Sequence, residues 1–589
     1  MYETFNIKQI INIQAKRTPQ AISILAPGRP PLTFAQLKQT VDYIQRSLIE
    51  NGFSKNDRIA LVLPNGPEMA VAFLGVSTVA ISAPLNPAYQ VPEFEFYLSN
   101  LRAKALIYLS GAQTAALDVA RSLHIRLLPL TPKLTEPAGV FHFSDDTAPK
   151  LPAARSYPEN PGDIALVLYT SGTTSRPRIV PLTQHNLCCS AENICASLRL
   201  TPDDRCLNIM PLFHIHGLIG AVLASVTAGA SVVCTPGFDE KNFYIWLDEF
   251  QPSWFTAVPS IHHAILAGAH SHKEMIRRRP LRFLRSSSAP LSPKLMAEME
   301  RTFSAPVLEA YGMTEASHQI ASNPLPPLPR KPGSVGIPTG PQVAVMDEAG
   351  NLLRPRATGE IVIRGANVTS GYENSPAANP SAFTNGWFRT GDQGWIDDDG
   401  YVYLTGRLKE LINRGGEKIS PREVDETLLE HPAVDQAVTF AIPHPRLGED
   451  IAVAIVLKSG TRATEKELRQ YAARYLADYK VPRRIIFVNE IAKGPSGKLQ
   501  RIGLAKTLSN LLKVAFVPPR NPGEETLARI WCDVLGIAKV GVHDNFFDLG
   551  GDSLLLIALV TRICETFDRD FPVEIAFLEP TVAGMAKHI

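Results

Sequence analysis

Short apolar runs rich in β-branched and aromatic residues recur along the first 405 residues, and they constrain the fold more than any other feature. The runs are separated by helical patterns and bounded by Gly or Pro. Apolar runs of this length between helices are typical of strands buried on both faces of largely parallel sheets. The sequence therefore predicts an α/β fold built of sheet-and-helix subdomains. The clearest runs are RIALVLP (58–64), KALIYLS (104–110), DIALVLYTS (163–171), ASVVCTP (230–236) and WFTAVPS (254–260).

The pattern changes in the second half of the chain. GEIVIRG (359–365) and GYVYLTGR (400–407) predict hairpin strands rather than crossover units. The region 408–510 predicts a compact α+β fold, with AVTFAIP and IAVAIVL as strands and EKELRQYAARYLADY as a helix.

A chain of 589 residues is too long for one hydrophobic core, so several domains are expected. The segment VPPRNPG (517–523) predicts an extended linker stiffened by proline, and amphipathic helices dominate the sequence after it. The predicted domains are a large N-terminal domain (1–405), a small mobile α+β subdomain (406–512), a linker (513–523) and an all-α four-helix domain (524–589).

Composition excludes several classes of partner. The net charge of +2 gives no support to nucleic-acid binding. The uncharged stretch 218–238 is long enough to span a membrane, but it is rich in small residues and ends in the strand-like ASVVC, so it predicts a buried helix and strand. The seven cysteines form no C-x-x-C pair, which is typical of reduced thiols. We therefore expect a cytoplasmic protein with no membrane partner.

A loop of small hydroxyl residues follows the apolar run IALVL, in the segment YTSGTTSRPRI (169–179). Such a loop can offer backbone N–H groups and hydroxyls to phosphate oxygens. The Walker A spacing is absent, and taken alone a loop of this composition is more often only a connection.

Four later motifs supply groups that a nucleotide site needs. The segment Glu309–Glu315 holds an aromatic ring, a hydroxyl and a carboxylate, which suit base stacking, a phosphate contact and a Mg²⁺ ligand. The acid Asp392 follows a predicted turn and could bind ribose hydroxyls. Arg407 stands where the sheet pattern ends, and Lys498 is the cation of a glycine-containing turn.

The order of these five motifs resembles the adenylate-forming superfamily, which includes acyl-CoA synthetases and nonribosomal peptide adenylation domains. The resemblance covers about residues 10–510 and is strongest to enzymes like the oxalate–CoA ligases. It is carried by the stretches YTSGTTSRP, PLFHIHGL, AYGMTEASHQIASNPLP, KPGSVG and KELINRGGEKISPREVD.

The resemblance implies ATP and Mg²⁺ as cofactors and a role for each motif residue. The implied nucleotide-binding residues are Thr170, Ser171, Gly172, Thr173, Thr174 and Arg178 at the β- and γ-phosphates, Ser288, Ala289, Pro290, Glu309, Ala310 and Tyr311 at the adenine, Gly312 beside them, and Asp392 and Arg407 at the ribose. The implied reaction residues are Thr314 at the α-phosphate, Glu315 as the Mg²⁺ ligand, Lys498 between the substrate carboxylate and the α-phosphate, and Lys409 as the hinge.

One departure from the family's pattern matters. The family's loop continues as Pro-Lys-Gly, whereas this sequence has Pro177-Arg178-Ile179. Arginine keeps the positive charge but changes its reach and geometry. We interpret the change as tolerated, while a non-catalytic scaffold with a degenerate ATP site remains an alternative.

The segment NFFDLGGDSLL, with FLEPTVAGMA after it, resembles the phosphopantetheine attachment site of acyl and peptidyl carrier proteins. Ser553 stands at the start of a predicted helix, where a phosphodiester is favoured. An ordinary helix N-cap is the alternative for a bare Asp-Ser pair. The resemblance implies 4′-phosphopantetheine on Ser553, a phosphopantetheinyl transferase as partner, transfer of the acyl group to this arm, and a downstream synthase or other acyl-accepting enzyme.

The sequence also bears on the acid that is activated. Amino acid-activating relatives carry an Asp near PLFHIHGL, and this chain has none there, so an amino acid is disfavoured. His214 matches the family residue that gates the acyl site, and His216 and His318 are predicted to face the same pocket opposite Ser286–Ser288. These groups favour a small polar acid such as oxalate or a short oxo- or dicarboxylate. Three alternatives stay open. The protein could be a CoA ligase for a medium-chain or aryl acid, with free CoA as acceptor, or an amino-acid loading module. The histidines could also be merely core residues.

Overall fold

The computed structural model describes residues 6–144, 160–170, 177–374, 379–444, 447–492, 499, 501–512, 516–547, 549–551 and 553–589. The chain divides into two compact units, and the boundary between them falls between Leu404 and Thr405.

The first unit alternates strands and helices, as the sequence predicts. Its strands are β1 (Ile22–Leu25), β2 (Leu32–Thr33), β3 (Arg58–Val62), β4 (Ile81–Pro84), β5 (Ala105–Leu109), β6 (Arg126–Pro132), β7 (Phe141–Phe143), β8 (Ile164–Thr170), β9 (Arg178–Thr183), β10 (Arg205–Asn208), β11 (Ser231–Cys234), β12 (Trp254–Ala257), β13 (Phe283–Ser287), β14 (Val307–Met313), β15 (His318–Ser322), β16 (Ile337–Pro338), β17 (Gln342–Met346), β18 (Gly359–Arg364), β19 (Phe383–Thr384), β20 (Trp387–Ile396) and β21 (Val402–Arg407), which crosses the boundary. Its helices are α1 (Ile7–Arg17), α2 (Phe34–Glu50), α3 (Pro67–Val76), α4 (Val91–Leu101), α5 (Ala115–Ser122), α6 (Gln184–Leu198), α7 (Ala224–Ala228), α8 (Glu240–Phe250), α9 (Pro259–Ala269), α10 (Lys273–Arg278), α11 (Pro293–Phe303) and α12 (Asn379–Ala382).

Two largely parallel sheets form the frame of this unit. One has the order β7-β6-β5-β3-β4-β8-β9, and the other has the order β16-β15-β14-β13-β12-β10-β11-β1-β2. Neighbouring strands in the middle of each sheet are parallel, whereas β9 and β15 are antiparallel to their neighbours. All five apolar runs that predicted strands form β3, β5, β8, β11 and β12. The predicted α/β fold is therefore confirmed.

A third sheet, of order β17-β18-β20-β19 with β21 beside β20, contains the predicted hairpin strands. It corrects one expectation, because Asp392 does not follow a turn. Asp392 lies within β20, one residue after Gly391, whose φ of 74° coincides with a register shift against β18. The irregularity bends a strand that stays continuous. The sequence Arg-Thr-Gly-Asp is compatible with such a bend as well as with a turn.

The uncharged stretch 218–238 is a buried core segment. A π-helix, His216–Leu223, runs into α7, and β11 follows. The residues of the π-helix are all buried. Among the described residues, no helix combines the length and apolar character that crossing a membrane requires.

The second unit begins with an α+β region. Its strands are β22 (Ile412–Arg414), β23 (Glu417–Ile419), β24 (Val434–His444), β25 (Gly448–Leu457) and β26 (Arg484–Phe487), and its helices are α13 (Pro421–Leu429), α14 (Glu465–Ala472), α15 (Leu504–Thr507) and α16 (Ser509–Leu512). The predicted strands AVTFAIP and IAVAIVL are confirmed as β24 and β25. The predicted helix over 465–479 is too long, because α14 ends at Ala472 and the chain turns before a 3-10 turn at Asp478–Lys480.

The C-terminal region is helical, with α17 (Pro522–Leu535), α18 (Ser553–Phe567), α19 (Val573–Leu578) and α20 (Val582–Met585). Asn521 caps α17 by accepting from Glu524 N at 2.9 Å. The core of this bundle centres on Trp531 and Phe546, whose rings pack edge to face at 5.0 Å. The helix α17 begins within the segment predicted as a linker.

Candidate active site

The predicted phosphate-binding loop connects β8 and β9. These strands are antiparallel neighbours, and Thr170 pairs with Arg178. The two strand ends that flank the loop are therefore held side by side. Ser171, Gly172, Thr173 and Thr174 lie outside the described residues.

The departure Arg178-Ile179 is accommodated by the fold. Ile179 is buried in the core between β8 and the helices that cover it. Arg178 places its guanidinium over the ring of Tyr372, with 4.9 Å between the guanidinium carbon and the ring centroid. The side chain at the family's lysine position thus has an aromatic partner within the protein.

The predicted adenine-pocket residues come from the ends of β13 and β14, which are parallel neighbours. Ser288 leaves β13 with a φ of 73°, so the chain turns sharply toward Ala289 and Pro290. The carboxylate of Glu309 accepts from Leu291 N at 3.0 Å. This bond ties the loop after β13 to β14 and gives buried Glu309 a structural task beside the one predicted.

Two residues predicted from different motifs lie in direct contact. Tyr311 on β14 donates its hydroxyl to Asp392 Oδ2 at 2.5 Å, and both side chains are buried. The contact orients the carboxylate that was predicted to bind ribose.

Glu315 lies in a 3-10 turn, Thr314–Ala316, directly after β14. Its carboxylate is 5% exposed and accepts from the Tyr372 hydroxyl at 2.8 Å. A carboxylate beside the Thr314 hydroxyl offers the hard oxygen ligands that Mg²⁺ prefers, and a nucleotide would supply phosphate oxygens. The donor set therefore fits the predicted Mg²⁺.

Buried polar side chains converge at the predicted acyl site. His216 bonds to Ser288 Oγ through Nδ1 at 3.1 Å and to Thr256 Oγ1 through Nε2 at 2.6 Å. The rings of His216 and His318 lie 5.0 Å apart. The π-helix packs closely on these rings at Gly220, where an added Cβ would stand 2.5 Å from His318 Nε2.

Arg285 on β13 joins the same cluster, although none of the sequence motifs pointed to it. Its guanidinium donates to His318 Nε2 at 3.1 Å and to Gln319 Oε1 at 2.8 Å. The side chain is fully buried, and burial lowers its pKa to about 10. Within the described ranges no carboxylate pairs with Arg285, and its Nε has no hydrogen-bond partner. The only sequence signal is an arginine inside the apolar run RFLRSS.

His214 lies just before the π-helix and is half-buried. Its Nδ1 accepts from His216 N at 3.2 Å. The fold thus brings His214, His216 and His318 to one region of the first unit, as predicted, but only the last two share the buried cluster with Arg285.

Two predicted residues, Arg407 and Lys409, belong to the second unit. Arg407 ends β21 and Lys409 lies in the 3-10 turn Leu408–Glu410, and both are exposed. Lys498 lies outside the described residues. Three positions later, Arg501 donates to Glu410 at 3.1 Å and to Asp425 at 2.7 Å, so the chain after Lys498 is tied to the segment that holds Lys409.

Ser553 is the first residue of α18, as predicted, although its side chain and Asp552 lie outside the description. The turn before it requires glycine. Gly550 has a φ of 99°, and a Cβ on Gly551 would stand 2.3 Å from the Phe546 ring. The two glycines of the motif therefore let the chain before Ser553 pack closely against the helical core.

Comparison with known families assigns each region. Residues 11–373 match the AMP-binding enzyme family, residues 423–498 match the C-terminal domain of AMP-binding enzymes, and residues 525–589 match the phosphopantetheine attachment site. The first match alone covers more than half of the chain.

Individual relatives agree with these matches. The chain is 43% identical over 492 residues to an oxalate–CoA ligase of Arabidopsis thaliana, which covers 83% of this chain and 95% of the relative. It is 40% identical to an oxalate–CoA ligase of Saccharomyces cerevisiae, with coverages of 81% and 93%. ATP-bound MatB from Rhodopseudomonas palustris has a similar structure, with a TM-score of 0.77, 26% identity, and coverage of 86% of this chain and 100% of that one. The chain therefore belongs to the AMP-binding enzyme family, as an adenylate-forming ligase that uses ATP and Mg²⁺ and carries a C-terminal phosphopantetheine-binding domain.

Proposed function

We propose that the enzyme activates a small polar dicarboxylic acid, with oxalate as the first candidate, and transfers the acyl group to the phosphopantetheine arm on its own Ser553. The reaction would supply an acyl thioester to a downstream synthase of the nonribosomal peptide or polyketide type. A phosphopantetheinyl transferase would install the arm.

The observation that carries the choice of acid is the buried guanidinium of Arg285. A buried cation is costly unless an anion compensates it, and the described residues offer no carboxylate partner. A dicarboxylic acid presents one carboxylate to ATP and retains a second charge. Arg285 would bind that second carboxylate.

The surroundings of Arg285 support the same choice. His216 and His318 are buried, and Thr256 adds a hydroxyl to the cluster. The alkyl or aryl tail of a larger acid would have to cover these polar groups without satisfying them. The oxalate–CoA ligases among the relatives provide independent support for oxalate.

The chemistry follows from the charges involved. A carboxylate oxygen attacks the α-phosphorus of ATP, the acyl-phosphate bond forms, and pyrophosphate leaves. No base is needed, because the nucleophile is already ionised, so positioning and charge stabilisation supply the acceleration. In the second step the thiolate of the arm attacks the acyl carbon, and AMP leaves with the bonding electrons.

The covalent connection between the ligase and the carrier region supports transfer within one chain. A tether raises the effective concentration of the arm to the order of millimolar. The cysteines that the sequence contains are all described and free of disulfides, which supports the proposed cytoplasmic location.

Acid-dependent ATP–pyrophosphate exchange tests the substrate assignment. We expect oxalate or malonate to support exchange at least about tenfold faster than acetate, glycine, octanoate or benzoate, because only they offer a second carboxylate to Arg285. A preference for glycine, octanoate or benzoate would contradict the proposal. Nucleotide binding without pyrophosphate exchange for any acid of the panel would revive the scaffold interpretation.

A second candidate function is release of free acyl-CoA. It is favoured by the named CoA ligases, which align with at most 84% of this chain while covering at least 93% of their own length. Product analysis with and without free CoA distinguishes the two functions, because only a CoA ligase releases acyl-CoA.

A further inference from the structure

Arg178, Tyr372 and Glu315 form a continuous chain of contacts. The guanidinium of Arg178 lies over the Tyr372 ring, and the Tyr372 hydroxyl donates to Glu315 Oε1 at 2.8 Å. None of the five sequence motifs contains Tyr372, and the family resemblance assigned it no role. The residue therefore links the chain's departure from the family to the carboxylate predicted to bind Mg²⁺.

The backbone on either side of Tyr372 is held to the same two elements. Thr369 N donates to Glu315 O at 2.7 Å, and Thr369 Oγ1 donates to Pro181 O on β9 at 2.7 Å. On the other side, Glu373 N donates to Ile179 O at 3.0 Å. The segment thus bridges β9 and the turn of Glu315, so the Tyr372 ring has a defined place between them.

The contacts have different physical effects. The hydroxyl bond restricts the rotation of the Glu315 carboxylate, which is the usual effect of a partner behind a metal ligand. The guanidinium lies over the ring, and it offers the ring a larger and less strongly hydrated cation than a lysine ammonium would. An arginine at position 178 is therefore better suited than the family's lysine to hold the Tyr372 ring in place.

We propose that Tyr372 is a positioning residue for the Mg²⁺-binding carboxylate of Glu315, and that Arg178 holds Tyr372 in place. On this account Arg178 acts on ATP through Tyr372 and Glu315 instead of repeating the direct phosphate contact of the family's lysine. The inference rests on the proposed assignment of Glu315 as the Mg²⁺ ligand.

Binding of α,β-methylene-ATP to the full-length protein tests the proposal without any turnover. Isothermal titration calorimetry would give the dissociation constant in excess Mg²⁺ and in EDTA, and their ratio is the affinity gain due to Mg²⁺. We expect Tyr372→Phe to reduce this gain about tenfold and to leave the EDTA value unchanged. Arg178→Lys should reduce the gain by about threefold.

Tyr401→Phe is the matched control. Tyr401 also has a cation over its ring, Lys331 at 4.3 Å, and a hydrogen-bonded hydroxyl, which donates to Pro329 O at 2.5 Å. It does not contact Glu315, so its loss should leave the Mg²⁺ gain unchanged. Thermal unfolding of each variant without nucleotide would establish that the fold is retained.

A double variant tests the order of the contacts. If Arg178 acts through the Tyr372 hydroxyl, Arg178→Gln should reduce the Mg²⁺ gain in the native background and have little further effect on Tyr372→Phe. An unchanged gain in Tyr372→Phe, or strictly additive losses in the double variant, would overturn the proposal. Glu315→Gln tests the metal assignment separately from the role of Tyr372. A normal Mg²⁺ gain in that variant would refute the assignment of Glu315 as the Mg²⁺ ligand, whatever acid the enzyme activates.

Discussion

The predicted nucleotide side and the predicted acyl side of the first unit satisfy their polar groups differently. On the nucleotide side, protein partners orient the carboxylates: Tyr311 bonds to Asp392, Leu291 N bonds to Glu309, and Tyr372 bonds to Glu315. On the acyl side, Arg285 is buried among imidazole, amide and hydroxyl groups.

From this difference we infer which side would determine the specificity for the acid. ATP is the common substrate of the family, and a site for it can be held rigid by the protein. On the acyl side no carboxylate among the described residues pairs with the Arg285 guanidinium, so under the proposed function the second carboxylate of the bound acid would supply the missing negative charge. We infer that the acyl side rejects acids that lack a second anion, since such acids leave the Arg285 charge unpaired.

The largest expected effect follows from removal of that charge. Arg285→Met should lower kcat/KM for the dicarboxylic acid by about a hundredfold or more, because a buried ion pair loses one partner. The affinity for ATP should change little. Acid-dependent pyrophosphate exchange and nucleotide titration measure the two effects.

Arg364→Met serves as the control for Arg285→Met, because Arg364 is an exposed strand arginine on β18 that bonds to the Gln342 side chain. Equal losses of acid activation in both variants would show that Arg285 has no special role in binding the acid.

An intermediate effect concerns stability in acid. His262 on α9 is fully buried, and desolvation lowers its pKa from 6.5 to about 3. Between these values the unfolded chain binds a proton that the folded protein does not, so stability falls as pH decreases from 6.5 toward 3. His262 should cost about 1.4 kcal/mol of stability for each pH unit below 6.5.

The variant His262→Leu should weaken this pH dependence, whereas stability above pH 7 should respond only to packing. Chemical denaturation at pH 7.5 and 5.5 compares the two proteins. An identical loss of stability on acidification in both would show that His262 is not the group responsible.

The smallest effect should come from the nucleotide side. Tyr311→Phe removes one hydrogen bond to the carboxylate of Asp392 and should weaken nucleotide binding about tenfold. The order of preference among acids should stay the same, because the acyl cluster is intact. A changed acid preference in this variant would mean that the two sides are coupled.

Much of the fold could be predicted because burial leaves a local signature. The runs that became β3, β5, β8, β11 and β12 are mostly apolar, which is typical of central parallel strands. The helix predicted over 465–479 failed at its end, since α14 stops at Ala472 although the amphipathic pattern continues. Where a helix ends is decided by tertiary packing as well as by propensity.

The site was predictable only where motifs are contiguous. Tyr311 and Glu315 stand in one short segment, whereas Arg285 meets its partners only because β13, the π-helix and β15 come together in the fold. Tyr372 reaches Glu315 across 57 residues of sequence. Asp392 was predicted as a ribose ligand, but its contact with Tyr311, 81 residues away, has no signal in either motif.

We propose that one chain both activates a small dicarboxylic acid and accepts the acyl group on its own arm. The most direct test is the intact mass of the phosphopantetheinylated full-length protein after incubation with ATP, Mg²⁺ and an equimolar mixture of acids. The account predicts a mass increase equal to an oxalyl or short dicarboxylic acyl group, which is lost in Ser553→Ala while pyrophosphate exchange persists. Acyl loading that survives Ser553→Ala, or a mass increase from an amino, aryl or medium-chain acid, would contradict it.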